Sequence, residues 1–280
     1  MIQLRKLFTP VSSMDPEEAR EYMATHPEGS YTLLDVRQPW EYEEEHLPGG
    51  RLMPLPQLKD LYREMDPDKP TLVHCAIGGR SRVAAQFLSG LGFKEVYNLA
   101  GGIKALQGHK ATGPEELNLG LIRGDETPQE ILTLAYGMEK GLQTFYESVP
   151  EKTPDPDLRD LAAKLARVEL QHEKAFFDLY HTLDPETELA AFEATVSHAV
   201  IEGGFDMQEF LKKNEPYLLT VRDLLEVAMM LETQALDLYL RFAQRSGNDK
   251  TREVLFTIAD QEKAHLAALG RLLEEKLGGK

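Results

Sequence analysis

The sequence predicts two domains, an α/β domain with a mainly parallel sheet followed by an all-α four-helix bundle with one long crossover. Short β-rich runs alternate with helical segments over the first part of the chain, and the hydrophobic period then changes to about 3.6 residues. The helices of the second part form two pairs, which residues 181–218 connect. A length of 280 residues is comfortable for two domains. The predicted division is 1–110 for the first domain, 111–126 for a linker and 127–280 for the bundle.

The first domain is predicted from its alternation of strands and helices. Asp15 followed by Pro16 is a favourable helix start, because Asp caps the first turn and Pro is preorganised for the first helical position. The predicted helices cover residues 16–25, 55–65 and 80–91. Runs rich in β-branched and aromatic residues, bounded by Gly and Pro, predict the strands Tyr31–Val36, Thr71–His74 and Glu95–Leu99. Strands separated by helices favour a parallel sheet.

The bundle begins where Thr127 and Glu130 form a capping box around Pro128. Its first helix runs to about residue 149, where Pro150 and two further prolines end it. The crossover is predicted to contain short helices near residues 186–202 and 206–213. The other three long helices are predicted at about 157–180, 219–246 and 250–277.

Composition restricts the classes of partner and compartment. The formal net charge is −16, with −2 on residues 1–110 and −14 on residues 111–280, which argues against nucleic acid and anionic membranes as partners. Cys75 is the only cysteine, so the chain has no intramolecular disulfide and no Cys-x-x-Cys pair. The N-terminus lacks the long apolar region of a signal peptide. A reducing cytoplasm is the expected setting.

A repeat relates the two helix pairs of the bundle. Residues 131–176 align without a gap to residues 93 positions later, with nine identities in 46 positions. The identities include polar residues that stand on otherwise divergent apolar helices, which points to a shared site as well as a shared core. These polar pairs are Glu139 and Glu232, Tyr146 and Tyr239, Glu169 and Glu262, and His172 and His265.

The repeated polar residues form two Glu-x-x-His motifs, each with a Glu partner on another helix. Residues at i and i+3 share one helix face, so each motif presents a carboxylate and an imidazole together. Four buried carboxylates would repel one another and lose hydration, and two divalent cations would neutralise them. Carboxylate and imidazole ligands suit iron or manganese. The candidate metal ligands are Glu139, Glu169, His172, Glu232, Glu262 and His265. Tyr146 and Tyr239 are candidates for hydrogen bonding to these carboxylates, with core packing as the alternative.

The bundle resembles the rubrerythrin-like members of the ferritin-like superfamily over about residues 125–277, with the same six ligand positions. The resemblance implies two iron ions that react with peroxide or dioxygen, with Glu169 and Glu262 bridging them. The chain departs from the family in two respects. Many relatives carry a further Glu where this chain has Ala235, and they carry a rubredoxin-like domain whose cysteines are absent here. An external electron donor is therefore expected.

Cys75 lies in a loop between a predicted strand and a predicted helix. The adjacent glycines Gly78 and Gly79 allow the backbone to curl, so that successive N–H groups can point at one anion. Such a loop at a helix N-terminus would stabilise a thiolate or persulfide at Cys75, with Arg80 as a fixed positive charge. The cradle is predicted to consist of Ala76, Ile77, Gly78, Gly79 and Ser81. A sulfur nucleophile that accepts and passes on a sulfur atom fits this arrangement.

Residues 10–108 resemble a single-domain rhodanese. The matching motifs, besides the loop from Cys75 to Ser81, are Leu34–Arg37, Trp40–Tyr42, His46–Gly49 and Tyr97–Gly102. The resemblance implies a thiosulfate:cyanide type of sulfurtransferase that forms a persulfide at Cys75. Its expected donor is thiosulfate or a persulfide, and its expected acceptor is a thiol or cyanide. The six-residue loop spacing favours this activity over the related phosphatases, whose loop is one residue longer.

Together the motifs predict a rhodanese-type sulfurtransferase fused to a rubrerythrin-like di-iron bundle, as a homodimer through the bundle. The fusion itself suggests the hypothesis that persulfide sulfur supplies reducing equivalents to the metal site. Two alternatives remain open from the sequence. The bundle could store or sense iron while the first domain supplies sulfur, or it could be metal-free and serve only in oligomerisation.

Overall fold

The structure, a computed structural model, describes residues 10–149 and 153–277. The chain divides into two compact units, Met1–Leu117 and Asn118–Lys280, and the division falls inside the segment predicted as a linker. The helix break predicted at Pro150 lies outside the described residues.

The first unit is built on a five-stranded sheet with the strand order β1-β5-β4-β2-β3. Every neighbouring pair of strands is parallel, which confirms the predicted sheet. The short edge strands β1 and β3 had not been predicted. The strands are β1 Ser12–Met14, β2 Thr32–Asp35, β3 Arg51–Leu52, β4 Thr71–His74 and β5 Val96–Leu99.

Five helices connect and cover these strands. The first begins as predicted, because the Asp15 carboxylate accepts hydrogen bonds from the amides of Glu17 and Glu18 while Glu18 caps in return. The helix predicted at 55–65 is shorter, and a 3-10 turn at Tyr62–Glu64 follows it. The helices are α1 Pro16–Thr25, α2 Pro39–Glu44, α3 Leu58–Leu61, α4 Gly79–Gly90 and α5 Gly102–Ala105.

The central strand β4 is buried along its whole length, with apolar clusters on both faces of the sheet. Val73 packs into one cluster and Leu72 into the other. Since Cys75 directly follows β4, the buried strand places this residue at the carboxyl end of the sheet. In α/β sheets this edge is where ligands bind.

The second unit contains four long helices that pack as two antiparallel pairs, and the predicted bundle with one long crossover is confirmed. Thr127 forms the predicted capping box with Glu130 at the start of the first helix. Among the residues that the structure describes, no helix combines the length and apolar character that a membrane span requires. The long helices, numbered here with the crossover helices in chain order, are α6 Pro128–Ser148, α7 Pro156–Leu183, α10 Val221–Arg245 and α11 Asp249–Leu277.

The crossover between α7 and α10 differs from its prediction. A helix near 206–213 is confirmed as α9 Met207–Asn214. The helix predicted near 186–202 is confirmed only in part. The observed helix is α8 Leu189–Glu193, and an antiparallel hairpin of β6 Val200–Ile201 and β7 Phe205–Asp206 follows. The turn of this hairpin contains two glycines with positive φ, a conformation that the helix pattern could not include.

Helix α6 lies very close to the crossover backbone. A Cβ atom on Gly137 would stand 2.1 Å from the carbonyl oxygen of Ser197, and one on Gly141 would stand 2.7 Å from the carbonyl oxygen of Val200. These glycines are one helical turn apart and form a single groove on α6. The groove holds the crossover hairpin against the ligand-bearing helix.

Candidate functional site

The four long helices bring all six predicted metal ligands together in the interior of the bundle. The two helix pairs contribute equivalent sets, as the repeat predicts. Each of the four glutamates is 3% exposed or less. The residues are Glu139 on α6, Glu169 and His172 on α7, Glu232 on α10, and Glu262 and His265 on α11.

Each set forms a compact triad around a histidine Nδ1 atom. In the first, His172 Nδ1 lies 2.9 Å from Glu169 Oε2 and 3.5 Å from Glu139 Oε2. In the second, His265 Nδ1 lies 3.2 Å from Glu262 Oε2 and 3.4 Å from Glu232 Oε2. Two carboxylates therefore converge on the same ring nitrogen in both halves. This convergence is the geometry expected when carboxylates and an imidazole share one cation.

The two triads adjoin each other through their histidines. The rings of His172 and His265 stack with centroids 3.6 Å apart and an angle of 6° between their planes. The side chains are 12% and 18% exposed, so they are the most accessible of the six candidate ligands.

A fifth carboxylate, from Glu202, lies in the cluster as a seventh candidate ligand, and the sequence had not indicated it. Glu202 follows β6 at the turn of the crossover hairpin and is fully buried. Glu139, Glu202 and Glu262 each bring a carboxylate oxygen within 4.8 Å of the others. Because Glu202 lies outside the repeat and outside the four long helices, neither signal used for the other ligands could identify it.

Burial and mutual repulsion perturb the protonation of these carboxylates. Burial, together with the charge of Glu202, raises the pKa of Glu139 well above its ordinary value. Burial and the charges of Glu262 and Glu232 raise the pKa of Glu202 in the same way. Burial also opposes the ionised form of Glu232, but the contacts with His265 and Glu262 and the charges of the two histidines together outweigh burial and leave the pKa of Glu232 lowered. The cluster thus holds more carboxylates than its imidazoles can neutralise.

The buried oxygens fit two divalent cations. Among the described residues, several oxygens of this cluster have no hydrogen-bond partner, although buried polar atoms are normally paired. Carboxylate oxygens combined with imidazole nitrogens are a donor set suited to iron or manganese. The unpaired atoms are both carboxylate oxygens of Glu139, both of Glu202, Oε2 of Glu232 and Oε1 of Glu262.

The two tyrosines of the repeat lie in the core beside the carboxylates. The hydroxyl of Tyr146 is buried and has no hydrogen-bond partner among the described residues, whereas the hydroxyl of Tyr239 is 3.7 Å from the sulfur of Met138. Burial, with the nearby carboxylate charges, raises the pKa of both tyrosines well above the ordinary value. Both hydroxyls therefore stay protonated in the neutral pH range. Ala235 packs in the apolar core.

The cysteine loop forms a cradle between β4 and α4. The N–H of Gly78 donates a hydrogen bond to Cys75 Sγ over 3.1 Å. The Ser81 hydroxyl lies 3.4 Å from the same sulfur and 2.7 Å from Asn98 Oδ1. Since the hydroxyl has one hydrogen and the shorter contact is with Asn98, the backbone amides provide the steadier support for the sulfur.

The start of α5 fixes the backbone of this loop. The N–H of Ile103 donates to the carbonyl oxygen of Cys75, and the N–H of Lys104 donates to that of Ala76. A Cβ atom on Gly102 would stand 2.3 Å from the Cys75 carbonyl oxygen, so only glycine allows this approach. Of the other predicted cradle residues, Ile77 is 69% exposed and Gly79 is the first residue of α4.

The hydrogen bonds of the cradle lower the pKa of Cys75. Burial alone raises the pKa of this thiol, but contacts with the Ser81 hydroxyl and with the amides of Ser81, Ile77 and Gly78 outweigh burial. The net pKa is below the ordinary value for cysteine. A thiolate is the form that attacks sulfur.

Arg80 points to a partner that sequence reasoning missed. Both terminal nitrogens of its guanidinium donate to the carboxylate of Glu41, each over 2.6 Å. Glu41 also accepts from the N–H of Gln38, which ties it to the start of α2. The bidentate pair fixes the guanidinium plane beside the loop and raises the pKa of Arg80 through the Glu41 hydrogen bonds. Glu41 belongs to a motif noted in the sequence, but nothing there showed its contact.

Comparisons with known proteins agree with both units. A family model described as Rubrerythrin matches residues 130–273, and one described as Rhodanese-like domain matches residues 15–109. Thiosulfate sulfurtransferase GlpE of Coxiella burnetii is 37% identical over 86 residues, which are 31% of this chain and 80% of that protein. Rhodanese-like/PpiC domain-containing protein 12, chloroplastic, of Arabidopsis thaliana is 46% identical over 77 residues. The match covers 26% of this chain and only 26% of the plant protein. A solved rhodanese-like domain protein from Staphylococcus aureus is 22% identical with a TM-score of 0.32, and the match covers 35% of this chain and 92% of that one.

Proposed function

Because the chain belongs to the rubrerythrin family through residues 130–273 and carries a rhodanese-like domain at residues 15–109, we propose that it combines two activities. The first is sulfur transfer through a persulfide at Cys75. The second is the reaction of a di-iron carboxylate site, with manganese as the alternative metal, with peroxide or dioxygen. The observation that carries the proposal is the pairing of a cradled thiol in one unit with two Glu-Glu-His triads in the other.

In the first activity the Cys75 thiolate attacks the outer sulfur of thiosulfate. The new S–S bond forms as the bond within thiosulfate breaks, and sulfite leaves with the electron pair. The amides of residues 76–81 then hold the persulfide anion, and the positive charge of Arg80 stands beside the loop. In the second step cyanide or a thiolate attacks the terminal sulfur and Cys75 leaves as a thiolate.

In the second activity the two triads would hold one metal ion each. Glu139, Glu169 and His172 would bind the first, and their repeat equivalents would bind the second. Redox metals bound there would supply the electrons that reduce peroxide or dioxygen. The chain excludes bulk water from the carboxylates, which are 3% exposed or less, and keeps protonated tyrosines beside them. An external reductant would restore the site after turnover.

Sulfur transfer is tested with thiosulfate and cyanide as substrates. Wild-type protein should form thiocyanate, and after thiosulfate alone its mass should increase by one sulfur atom at Cys75. Cys75→Ser should lose both signals, while Glu262→Gln should keep both because it changes only the bundle. Thiocyanate formation by Cys75→Ser at the wild-type rate would refute the assignment.

Metal binding is tested by elemental analysis of freshly purified protein. Two ions per chain are expected in the wild type and in the control Glu209→Gln, because Glu209 is exposed on α9. Glu262→Gln should lose metal because it removes one carboxylate from a triad. The reduced, metal-loaded wild type should consume hydrogen peroxide faster than Glu262→Gln. Two bound ions without peroxide or dioxygen consumption would favour iron storage instead.

The metal-free alternative is disfavoured by the unpaired buried oxygens of the cluster.

The predicted homodimer through the bundle is a separate proposal, supported by large apolar side chains exposed on α7, namely Leu170 and Leu183. Light scattering should give twice the mass of one chain. Leu170→Ser with Leu183→Ser should then give the mass of one chain, and a monomeric wild type would refute the dimer.

A further inference from the structure

We propose that Glu202 is a seventh protein ligand of the metal pair, delivered from the crossover and placed between the two repeated halves of the site. This inference rests on the proposed di-metal site and adds a residue to it. The other six residues come from the long helices in two equivalent sets. Glu202 comes from a hairpin turn and has no equivalent in the repeat.

The burial of Glu202 requires a positively charged partner or a proton. Its side chain is fully buried, and neither carboxylate oxygen has a hydrogen-bond partner among the described residues. Two buried acids of the bundle outside the cluster are paired. Glu173 accepts from Lys140 over 3.1 Å, and Asp237 accepts from Arg241 over 2.7 Å. The unpaired state of Glu202 is therefore not a general feature of buried acids in this fold.

The position of Glu202 relates it to both halves of the site. It groups with Glu139, from the first repeat, and Glu262, from the second, and one oxygen of each of the three residues lies within 4.8 Å of the others. Oxygens at such separations can contact a common cation, whose oxygen ligands lie at about 2.0–2.6 Å.

The hairpin that carries Glu202 is held firmly on both sides. Strand pairing joins Val200 to Asp206 at its base. In the turn, Gly203 has a φ of 75°, and a Cβ there would stand 2.8 Å from the Cβ of Gln234 on α10. The Asn118 side chain donates to the carbonyl oxygen of Gly203 over 2.7 Å. The turn is thus fixed against α10, and Glu202 has little freedom to leave the cluster.

The docking of the hairpin on α6 completes this support. The two glycines of α6, Gly137 and Gly141, admit the backbone of residues 197–200 at distances that any side chain would block. The α6 groove therefore sets the depth at which the hairpin enters the bundle. Since Glu139 lies on α6 between these glycines, the same helix positions one candidate ligand and the segment that delivers another.

The inference is tested with Glu202→Gln, which keeps the shape of the side chain and removes its charge. Metal-free wild type and variant are titrated anaerobically with Fe(II) and with Mn(II), and affinities are measured by competition with a chelator. Wild type should bind two ions, and Glu202→Gln should bind at least one of them about tenfold more weakly or worse. Glu209→Gln, in the same crossover but exposed, should match the wild type.

Thermal unfolding separates a ligand from a merely structural residue. The metal-free Glu202→Gln protein should be at least as stable as the metal-free wild type, because an amide replaces an unpaired buried carboxylate. Its stabilisation by added Mn(II) should be smaller. Hydrogen exchange at residues 200–206 should slow on Mn(II) addition in the wild type, and less so in the variant.

The outcomes distinguish failure of this inference from failure of the di-metal site. Two ions bound by Glu202→Gln with wild-type affinity would overturn the seventh ligand and leave the six-residue site intact. A wild type that binds no metal would overturn both. If Glu202→Gln does not fold, Glu202→Asp is measured in its place. This variant keeps the charge, but its side chain is shorter by one methylene group. Unchanged metal affinity in Glu202→Asp would equally overturn the proposal.

Discussion

Replacing Gly137 by alanine should destabilise the bundle, although alanine is the better helix former. A Cβ atom at this position would stand 2.1 Å from the Ser197 carbonyl oxygen, whereas real Cβ contacts essentially never fall below 3.0 Å. The crossover backbone must therefore retreat by about 0.9 Å, the difference between these two distances. A backbone oxygen cannot swing aside as the end of a flexible side chain can.

The expected change in the free energy of unfolding follows from two opposing contributions. Exchanging glycine for alanine inside a helix stabilises by about 1 kcal/mol, while overpacking of a well-packed site costs about 1–3 kcal/mol. Because the contact is severe, we expect the free energy of unfolding to fall by about 1–2 kcal/mol in total. Gly270→Ala on α11 is the matched control. Its Cβ would meet only the Met229 methyl carbon at 4.0 Å, so the free energy of unfolding of this variant should rise by about 0.5–1 kcal/mol.

Urea unfolding of the metal-free proteins, followed by the helical circular dichroism signal, measures both effects. The midpoint should fall for Gly137→Ala and rise for Gly270→Ala. Gly137→Ala should also bind Mn(II) more weakly, because the displaced crossover carries Glu202. A Gly137→Ala protein as stable as Gly270→Ala would refute the argument that the crossover is held by backbone contact.

Three further predictions concern the cysteine loop and the separation of the two units. Gly78→Ala should lower thiosulfate turnover about tenfold or more, because its φ of 93° and a Cβ contact at 3.1 Å would distort the cradle. Gly92→Ala, whose φ is 98° but whose surroundings are open, should keep its turnover. Ser81→Ala should raise the pKa of Cys75, because it removes a hydrogen bond that favours the thiolate. The acid limb of the pH–rate profile should therefore move to higher pH, and a move to lower pH would contradict the assigned contact. Removing metal with a chelator should lower the melting temperature of the bundle, since metal at about 100 times its Kd stabilises by about 2.7 kcal/mol per site. Thiosulfate turnover should not change in that experiment, and its loss would show that the sulfur site depends on metal.

Sequence reasoning located most of the candidate site because two regular signals carried it. Helical periodicity placed Glu139 and Glu232 on inward faces, and the 93-residue repeat selected them from many acidic residues. The Cys75 loop could be located since strand, cysteine, glycine pair and helix follow one another within a few residues. In each case the relevant geometry is local or repeated, so the chain order alone expresses it.

Contacts between segments distant in sequence could not be predicted in this way. Arg80 and Glu41 are 39 residues apart, and only the folded sheet brings α2 beside the loop. Glu202 lies at the end of the segment predicted as a helix near residues 186–202, where two adjacent glycines with positive φ form a turn instead. The short strands at the sheet edges were missed because two or three residues are too few to show alternation.

The stacked pair of His172 and His265 has a consequence for entry into the metal cluster. The carboxylates are 3% exposed or less, whereas these two rings are 12% and 18% exposed. The two imidazole rings are therefore the most accessible part of the cluster for a reagent in solution. A reagent specific for imidazole should therefore modify His172 and His265 while the buried carboxylates stay unmodified.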